Sequence, residues 1–108
     1  MTMIEVRYYL DRSANCPYRQ WAEGLDLAAL RRVERSIARL AEGNVSNVKS
    51  VGEGVHELKI DFGPGYRIYF GWQGRTLVVI LGGGTKKRQN KDIAEAKERW
   101  SDFKDRVR

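Results

Sequence analysis

The sequence predicts an α+β fold: a small antiparallel sheet with a helical hairpin packed on one face and a C-terminal helix, in the order β-α-α-β-β-β-α. Three observations predict this fold. Apolar residues alternate with polar ones near the N-terminus and in the middle of the chain, they recur at helical spacing in two other segments, and glycine-rich turns separate the strands. With 108 residues, the chain is predicted to form a single domain over 1–108.

The first strand is predicted over residues 4–10, where every second residue is apolar. Pro17 opens a short helix that Gly24 ends. Asp26 caps a second helix, which is amphipathic because its apolar residues recur every three or four positions. These apolar residues are Leu30, Val33, Ile37 and Leu40. Residues 45–54, which include several Ser, Asn and Gly, are predicted to be a connection.

The middle of the chain is predicted to form a hairpin of two strands, over residues 55–62 and 66–72, closed by a Gly-Pro-Gly turn. The register expected from this turn pairs Phe62 with Tyr66, Asp61 with Arg67, Ile60 with Ile68, Lys59 with Tyr69 and Leu58 with Phe70. One face of the hairpin is then apolar and includes His56, which we expect to be buried and hydrogen-bonded. The other face, which we expect to be open, carries Glu57, Lys59, Asp61, Arg67 and Tyr69.

The fourth strand is predicted over residues 76–81 and is apolar on both faces, which indicates that it is covered on both sides. The run Gly82-Gly83-Gly84 is expected to end it and to lead into a cluster of cations. The last helix is expected to begin near Asn90 and to be amphipathic. Its apolar residues are Ile93, Ala96, Trp100, Phe103 and Val107.

The chain has 20 Lys+Arg against 14 Asp+Glu and a formal net charge of +6, which favours nucleic acid or an acidic protein as the partner. A single Cys excludes an internal disulfide, and a single His excludes a His-based zinc site or a His–His acid–base pair within one chain. We therefore expect no metal and no other cofactor. No secretory signal and no membrane-spanning apolar run is visible, so we expect a cytoplasmic protein without a membrane partner.

Several short motifs occur in a distinctive order and spacing. They are Glu57-Leu58-Lys59, Gly63-Pro64-Gly65-Tyr66-Arg67-Ile68-Tyr69, Gly82-Gly83-Gly84-Thr85-Lys86-Lys87-Arg88-Gln89, and Asp92-Ile93 with Ala96. Together they resemble the RelE/HigB-like toxins of the RelE/ParE superfamily, most closely the addiction-module killer protein group, over essentially the whole chain. The resemblance implies a RelE/ParE-type fold and a type II toxin neutralised by a cognate antitoxin, a helix-turn-helix protein encoded nearby. Many members cleave mRNA in the ribosomal A site, and a sister branch poisons DNA gyrase.

The resemblance and the charges together suggest the site residues. RNA cleavage without a metal uses the substrate 2′-hydroxyl as nucleophile, so an enzyme must remove its proton, stabilise the pentavalent phosphate and protonate the leaving 5′-oxygen. The catalytic candidates are Arg67 as a phosphate clamp, Lys86 at the family's lysine position, and Lys59 as a base or phosphate ligand. The substrate-binding candidates are Tyr69, by stacking on a base, and Lys87, Arg88, Gln89 and Lys91.

Structural interpretations of the same residues stay open at this stage. Arg67 could pair with Asp61 across the hairpin, Tyr69 could pack as an ordinary aromatic, and the cations could be a solvated charge run. For the whole protein, the first hypothesis is a ribosome-dependent mRNA endonuclease, with mRNA, the ribosome and the antitoxin as partners. The alternatives are a ParE-like gyrase-poisoning toxin without nuclease chemistry and a basic RNA-binding module. A homo-oligomer is compatible with all three.

Overall fold

The structure of the protein, a computed structural model, describes residues 3–107. In chain order its elements are β1 (Glu5–Tyr8), α1 (Pro17–Ala22), α2 (Leu27–Ala41), β2 (Val48–Gly52), β3 (Val55–Ile60), β4 (Tyr66–Gln73), β5 (Leu77–Thr85) and, after a 3-10 turn over Lys86–Arg88, α3 (Gln89–Arg106). These elements confirm the α+β class predicted from the sequence. None of the helices within the described residues combines the length and the hydropathy of a membrane span.

The described strands form one sheet in the order β1-β5-β4-β3-β2. β1 runs parallel to β5, whereas the other neighbouring strands are antiparallel. The sheet is therefore mixed rather than wholly antiparallel. The sequence did not reveal this because apolar alternation shows which face a side chain takes and carries no information on strand direction.

Strand β2 lies in the segment that the sequence analysis predicted to be a connection, and that prediction is wrong. β2 pairs antiparallel with β3 at the edge of the sheet, with a bulge between Ser50 and Gly52. The two-residue turn that follows has positive φ at Glu53 (54°) and Gly54 (82°), which suits the right-handed twist of a hairpin. The polar composition that suggested a connection is instead that of an edge strand.

The β3–β4 hairpin has a register two residues away from the predicted one. Lys59 lies opposite Arg67, and Glu57 lies opposite Tyr69. The turn is longer than three residues because β3 ends at Ile60. A shift of two residues leaves every side chain on its original face, so the predicted faces are confirmed although the predicted cross-strand pairs are wrong.

Helices α1 and α2 cover one face of the sheet, as predicted for the helical hairpin. The Asp26 side chain accepts a hydrogen bond from the Ala29 N–H at 2.8 Å, which confirms the predicted cap of α2. The core on this side consists mainly of buried residues from both layers: Ala29, Val33, Ile37, Leu40, Leu58, Ile60, Ile68, Phe70, Val78 and Ile80. Full burial of one such large side chain contributes about 1.5–3 kcal/mol.

Helix α3 covers the opposite face, which the sequence analysis expected to be open. Trp100 packs so closely on the sheet that a Cβ on Gly71 would lie 2.6 Å from its ring. Under α3, Glu57 and Tyr69 are 1% exposed and Arg67 is 6% exposed. The prediction of an open polar face is therefore wrong for these three residues, because the amphipathic helix that follows β5 needs an apolar surface to pack on.

The glycine run 82–84 continues β5 to Thr85 instead of ending it. Each glycine has a side chain from a neighbouring helix against it: Arg99 at Gly82, Trp21 at Gly83 and Asp92 at Gly84. The run therefore lets α1 approach one face of the strand and α3 the other. In the sequence, glycines that follow an apolar strand look the same whether they end the strand or allow such close packing.

Candidate functional site

The tip of the β3–β4 hairpin and the start of the 3-10 turn meet at one carbonyl group. The Gly65 oxygen accepts a hydrogen bond from the Arg67 guanidinium (Nη1) at 3.0 Å and another from the Lys86 backbone N–H at 3.0 Å. Gly65 has φ of 80°, a conformation that favours glycine. The structure therefore brings Arg67 and Lys86, two of the three predicted catalytic residues, to the same end of the sheet.

Arg67 is held in a buried polar cluster. Its Nε lies 3.5 Å from the Glu57 carboxylate, which also accepts a hydrogen bond from the Gln89 amide at 2.7 Å. Lys49 reaches the same carboxylate at 3.8 Å from the solvent side. The alternative of an Arg67–Asp61 pair is wrong because the register places Lys59 opposite Arg67.

Gln89, a predicted substrate-binding residue, is engaged inside the protein through this hydrogen bond to Glu57. It joins the first turn of α3 to the sheet. Gln89 was predicted to bind substrate, and in this structure its side chain makes a tertiary contact.

Tyr69 lies under α3 with its ring almost wholly buried. Among residues 3–107, its buried hydroxyl has no hydrogen-bond partner. Burial raises the pKa of this hydroxyl, and the nearby charges of Glu57 and Asp92 raise it further. The predicted stacking of Tyr69 on a base does not fit this burial, whereas the alternative of aromatic packing does.

Lys59 is the third predicted catalytic residue and lies at the surface of β3. Its Nζ is 3.6 Å from the Asp61 carboxylate, and both side chains are more than half exposed. Such an exposed pair contributes about 1 kcal/mol or less, so the ammonium group can change partner readily. Lys59 lies in a row with Arg67 and Gly84 across three strands, which places it on the same face as the polar cluster.

Four cations follow β5, and we call them the basic segment: Lys86, Lys87, Arg88 and Lys91. All four are exposed. They line an open cleft of about 370 Å³ together with Gln89 and Asn90. Within the described part of the chain, none of the four forms an ion pair. The segment therefore presents four exposed cations that have no direct ion pair with a described side chain.

His56 lies on the apolar face of β3, as predicted, and is away from the basic segment. Its ring stacks on Phe70 with the centroids 5.7 Å apart, and it is half-buried. Desolvation lowers its pKa. No three His, Cys, Asp or Glu side chains of residues 3–107 come together in the way that a metal site requires.

A further cavity, which the sequence analysis missed, lies at the outer edge of β5 between α1 and α3. We call it the edge cavity; its volume is about 320 Å³. Its lining includes Trp21, Tyr69, Arg88, Asp92, Glu95 and Arg99. Burial raises the pKa of Asp92, although the neighbouring Arg88 and Arg99 oppose that shift. Only the glycine run could have indicated that α1 and α3 meet across this edge.

The chain is similar to a family of known proteins and to a bacterial relative. The family model described as "Phage derived protein Gp49-like (DUF891)" matches residues 20–101. An uncharacterized protein of Haemophilus influenzae is 46% identical over 72 residues, which cover 67% of this chain and 73% of that protein. The family match includes the β3–β4 hairpin and extends through the basic segment.

Proposed function

We propose that this chain, which belongs to the Gp49-like family of phage-derived proteins, acts as the toxin of a type II toxin–antitoxin module. The family is associated with toxin–antitoxin systems and is related to the RelE/ParE-type toxins. The family match covers well over half of the chain. Membership therefore supports a toxin with an antitoxin partner, and the chemistry of the toxin is proposed from the site.

The proposed activity is metal-independent, ribosome-dependent cleavage of mRNA in the cytoplasm. The observation that carries it is the basic segment, whose four exposed cations lie beside the Arg67–Gly65–Lys86 junction. An RNA backbone is the anion that such a segment suits, because lysines and arginines contact its phosphates regardless of sequence. The antitoxin would then carry acidic side chains that cover the same cations.

In the proposed reaction, the 2′-oxygen forms a bond to the phosphorus and the bond to the 5′-oxygen breaks, leaving a 2′,3′-cyclic phosphate. The Lys86 ammonium stabilises the phosphate charge and donates a proton to the leaving oxygen, while the Lys59 ammonium contacts the phosphate and water takes the 2′-hydroxyl proton. Arg67 is too buried to clamp the phosphate in this conformation, so we propose that it positions Lys86 through Gly65. Lys87, Arg88 and Lys91 bind neighbouring phosphates.

Brief expression of the chain in growing bacteria, followed by mapping of transcript 5′ ends, tests this function. We expect growth arrest and new 5′ ends within translated regions, with both effects lost when translation is blocked beforehand. DNA breaks with intact transcripts would instead indicate gyrase poisoning. Unimpaired growth would indicate that the chain is a basic RNA-binding module and not a toxin.

The variant Lys86→Gln tests the role of the junction because its exposed side chain can change without disturbing the core. We expect it to lose cleavage by at least about 100-fold, the range typical of a lost general acid. Arg75→Gln is the matched control, because it removes one exposed charge at the β4–β5 turn, the opposite end of the sheet. Equal toxicity of the two variants would exclude the proposed role of Lys86.

A further inference from the structure

The edge cavity exposes backbone groups that no strand covers. β1 pairs with β5 only as far as Ile80, so the following part of β5 has no described strand on its outer side. The Lys86 N–H points towards β4, where Gly65 accepts it. Since hydrogen-bonding direction alternates along an antiparallel strand, the N–H and C=O of Gly83 point away from β4 and towards the cavity.

The charged side chains of the edge cavity are close together but not joined. Within residues 3–107, no ion pair links Arg88 or Arg99 to Asp92 or Glu95. Arg99 is engaged with the Leu81 carbonyl at 3.1 Å, and Asp92 packs on Gly84. This leaves Arg88 and Glu95 as a donor and an acceptor that face a common space.

The inner end of the cavity also has an unused polar group. Tyr69 lines the cavity, and its buried hydroxyl makes no hydrogen bond of normal geometry with the described residues, although the Glu57 carboxylate lies close enough to raise its pKa. A buried polar group without a partner costs about 1–3 kcal/mol, and an entering ligand that hydrogen-bonds it would recover part of that cost. Trp21 adds an aromatic wall on the side of α1.

We propose that the edge cavity binds a guanine base of the RNA that passes along the basic segment, an inference that rests on the proposed function. Guanine has two adjacent N–H donors, which one carboxylate can accept together, and two acceptors, O6 and N7, which an arginine contacts bidentately. Glu95 supplies the carboxylate and Arg88 the guanidinium, while Trp21 stacks on the ring. Adenine would place a ring acceptor against Glu95, and pyrimidines lack the O6/N7 pair.

The position of Arg88 connects this cavity to the phosphate contacts. Arg88 belongs to the basic segment and also lines the edge cavity. An RNA strand held by Lys87 and Lys91 would therefore pass beside the cavity that Glu95 lines. The cavity volume of about 320 Å³ is at the lower end of the range of about 300–1,000 Å³ for ligand pockets, which suits a single base rather than a larger ligand.

The experiment compares 5′-GMP with 5′-IMP, which lacks only the exocyclic amino group, by calorimetry and by the NMR shift of the Trp21 indole N–H. We expect GMP to bind at least about fivefold more tightly than IMP, as one base-edge contact provides. Glu95→Gln should bring this ratio close to one. Glu98→Gln, which removes the same charge from an exposed position on α3, should leave the ratio unchanged.

Equal affinity of the unchanged protein for GMP and IMP would overturn the proposal, and so would an undiminished ratio in Glu95→Gln. If Glu95→Gln does not fold, the ratio in the unchanged protein and the Trp21 shift decide alone. A chain that discriminates GMP from IMP but cuts no RNA would refute the proposed function and leave guanine binding. Identical base composition around the cuts made by the unchanged protein and Glu95→Gln would refute the guanine pocket and leave the function.

Discussion

The buried Arg67–Glu57 pair predicts that removing one partner lowers the free energy of unfolding much more than replacing both partners by apolar side chains. Arg67→Ala would leave the Glu57 carboxylate buried without its guanidinium partner, with Gln89 and the outer Lys49 still beside it. Removing one partner of a buried pair typically costs about 3–5 kcal/mol. Because Glu57 keeps a hydrogen bond of 2.7 Å to Gln89, we expect the lower end, about 3 kcal/mol.

Urea unfolding of the purified variant measures this loss, since the free energy of unfolding extrapolates linearly to water. For a domain of this size, about 3 kcal/mol corresponds to a fall in Tm of roughly 15 °C. Lys86→Gln, at an exposed position close by, should change the free energy of unfolding by no more than about 0.5 kcal/mol. A loss below about 1 kcal/mol for Arg67→Ala would refute the argument that Glu57 depends on this guanidinium.

The double variant Arg67→Met with Glu57→Leu separates stability from function. Replacing a buried ion pair by apolar side chains of similar volume is often neutral or stabilising, so most of the lost stability should return. If Arg67 positions Lys86 through Gly65, this folded double variant should still show reduced cleavage. Full toxicity of the double variant would show that Arg67 matters for folding alone.

Three further predictions concern packing, pH and salt. Gly71→Ala should lose about 1–3 kcal/mol in urea unfolding, because the new methyl group would lie 2.6 Å from the Trp100 ring. Burial raises the pKa of Tyr18 to about 12, whereas an unfolded tyrosine ionises at about pH 10. The buried neutral tyrosine therefore adds its full stabilisation below about pH 10 and loses it as the pH rises towards 12. The urea concentration at the midpoint of unfolding should fall over that interval. Lys87→Gln should lower the log–log salt slope of single-stranded RNA binding by about 0.7, and Arg75→Gln should leave it unchanged.

The controls for these measurements come from the same chain. Gly24→Ala has ordinary van der Waals space, with the nearest atom at 3.5 Å, and should be nearly neutral where Gly71→Ala is not. Tyr18→Phe should lessen the loss of stability above pH 10, and Tyr69, whose pKa burial also raises, should account for part of what remains. A Tyr18→Phe protein that loses stability over pH 10–12 as much as the unchanged protein would contradict the burial argument for Tyr18.

The elements of this fold could be predicted from the sequence wherever one face of an element is apolar. Apolar periodicity located α2, α3 and the β3–β4 hairpin, and the Asp26 cap was correct. Strand β2 was missed because its outward residues are polar and its neighbours include several Ser, Asn and Gly. The parallel β1–β5 pair could not be predicted because it depends on how distant parts of the chain meet.

The sequence could predict which residue types form the candidate site, but not which of their side chains are buried. The convergence of Arg67 and Lys86 was expected, and the structure places both at Gly65. The burial of Arg67 was not expected, because a charged strand residue is normally exposed unless it is paired. Its partner Glu57 lies on β3, and α3, which covers both residues, comes later in the chain. Neither the ion pair nor its burial can therefore be predicted from the residues around Arg67. The edge cavity was missed for the same reason, since Trp21 and Glu95 are far apart in the chain.

The shared carbonyl of Gly65 has a consequence for how sequences of this kind can diverge. One oxygen atom couples the length of the loop over 61–65 to the place where the chain leaves β5, so an insertion in that loop would displace the lysine that follows Thr85. Relatives should therefore tolerate insertions and deletions at the turn around Gly74, where added atoms meet open space, and keep the loop over 61–65 constant in length. An alignment of many relatives would reveal this asymmetry as gaps at one tip of the sheet and none at the other.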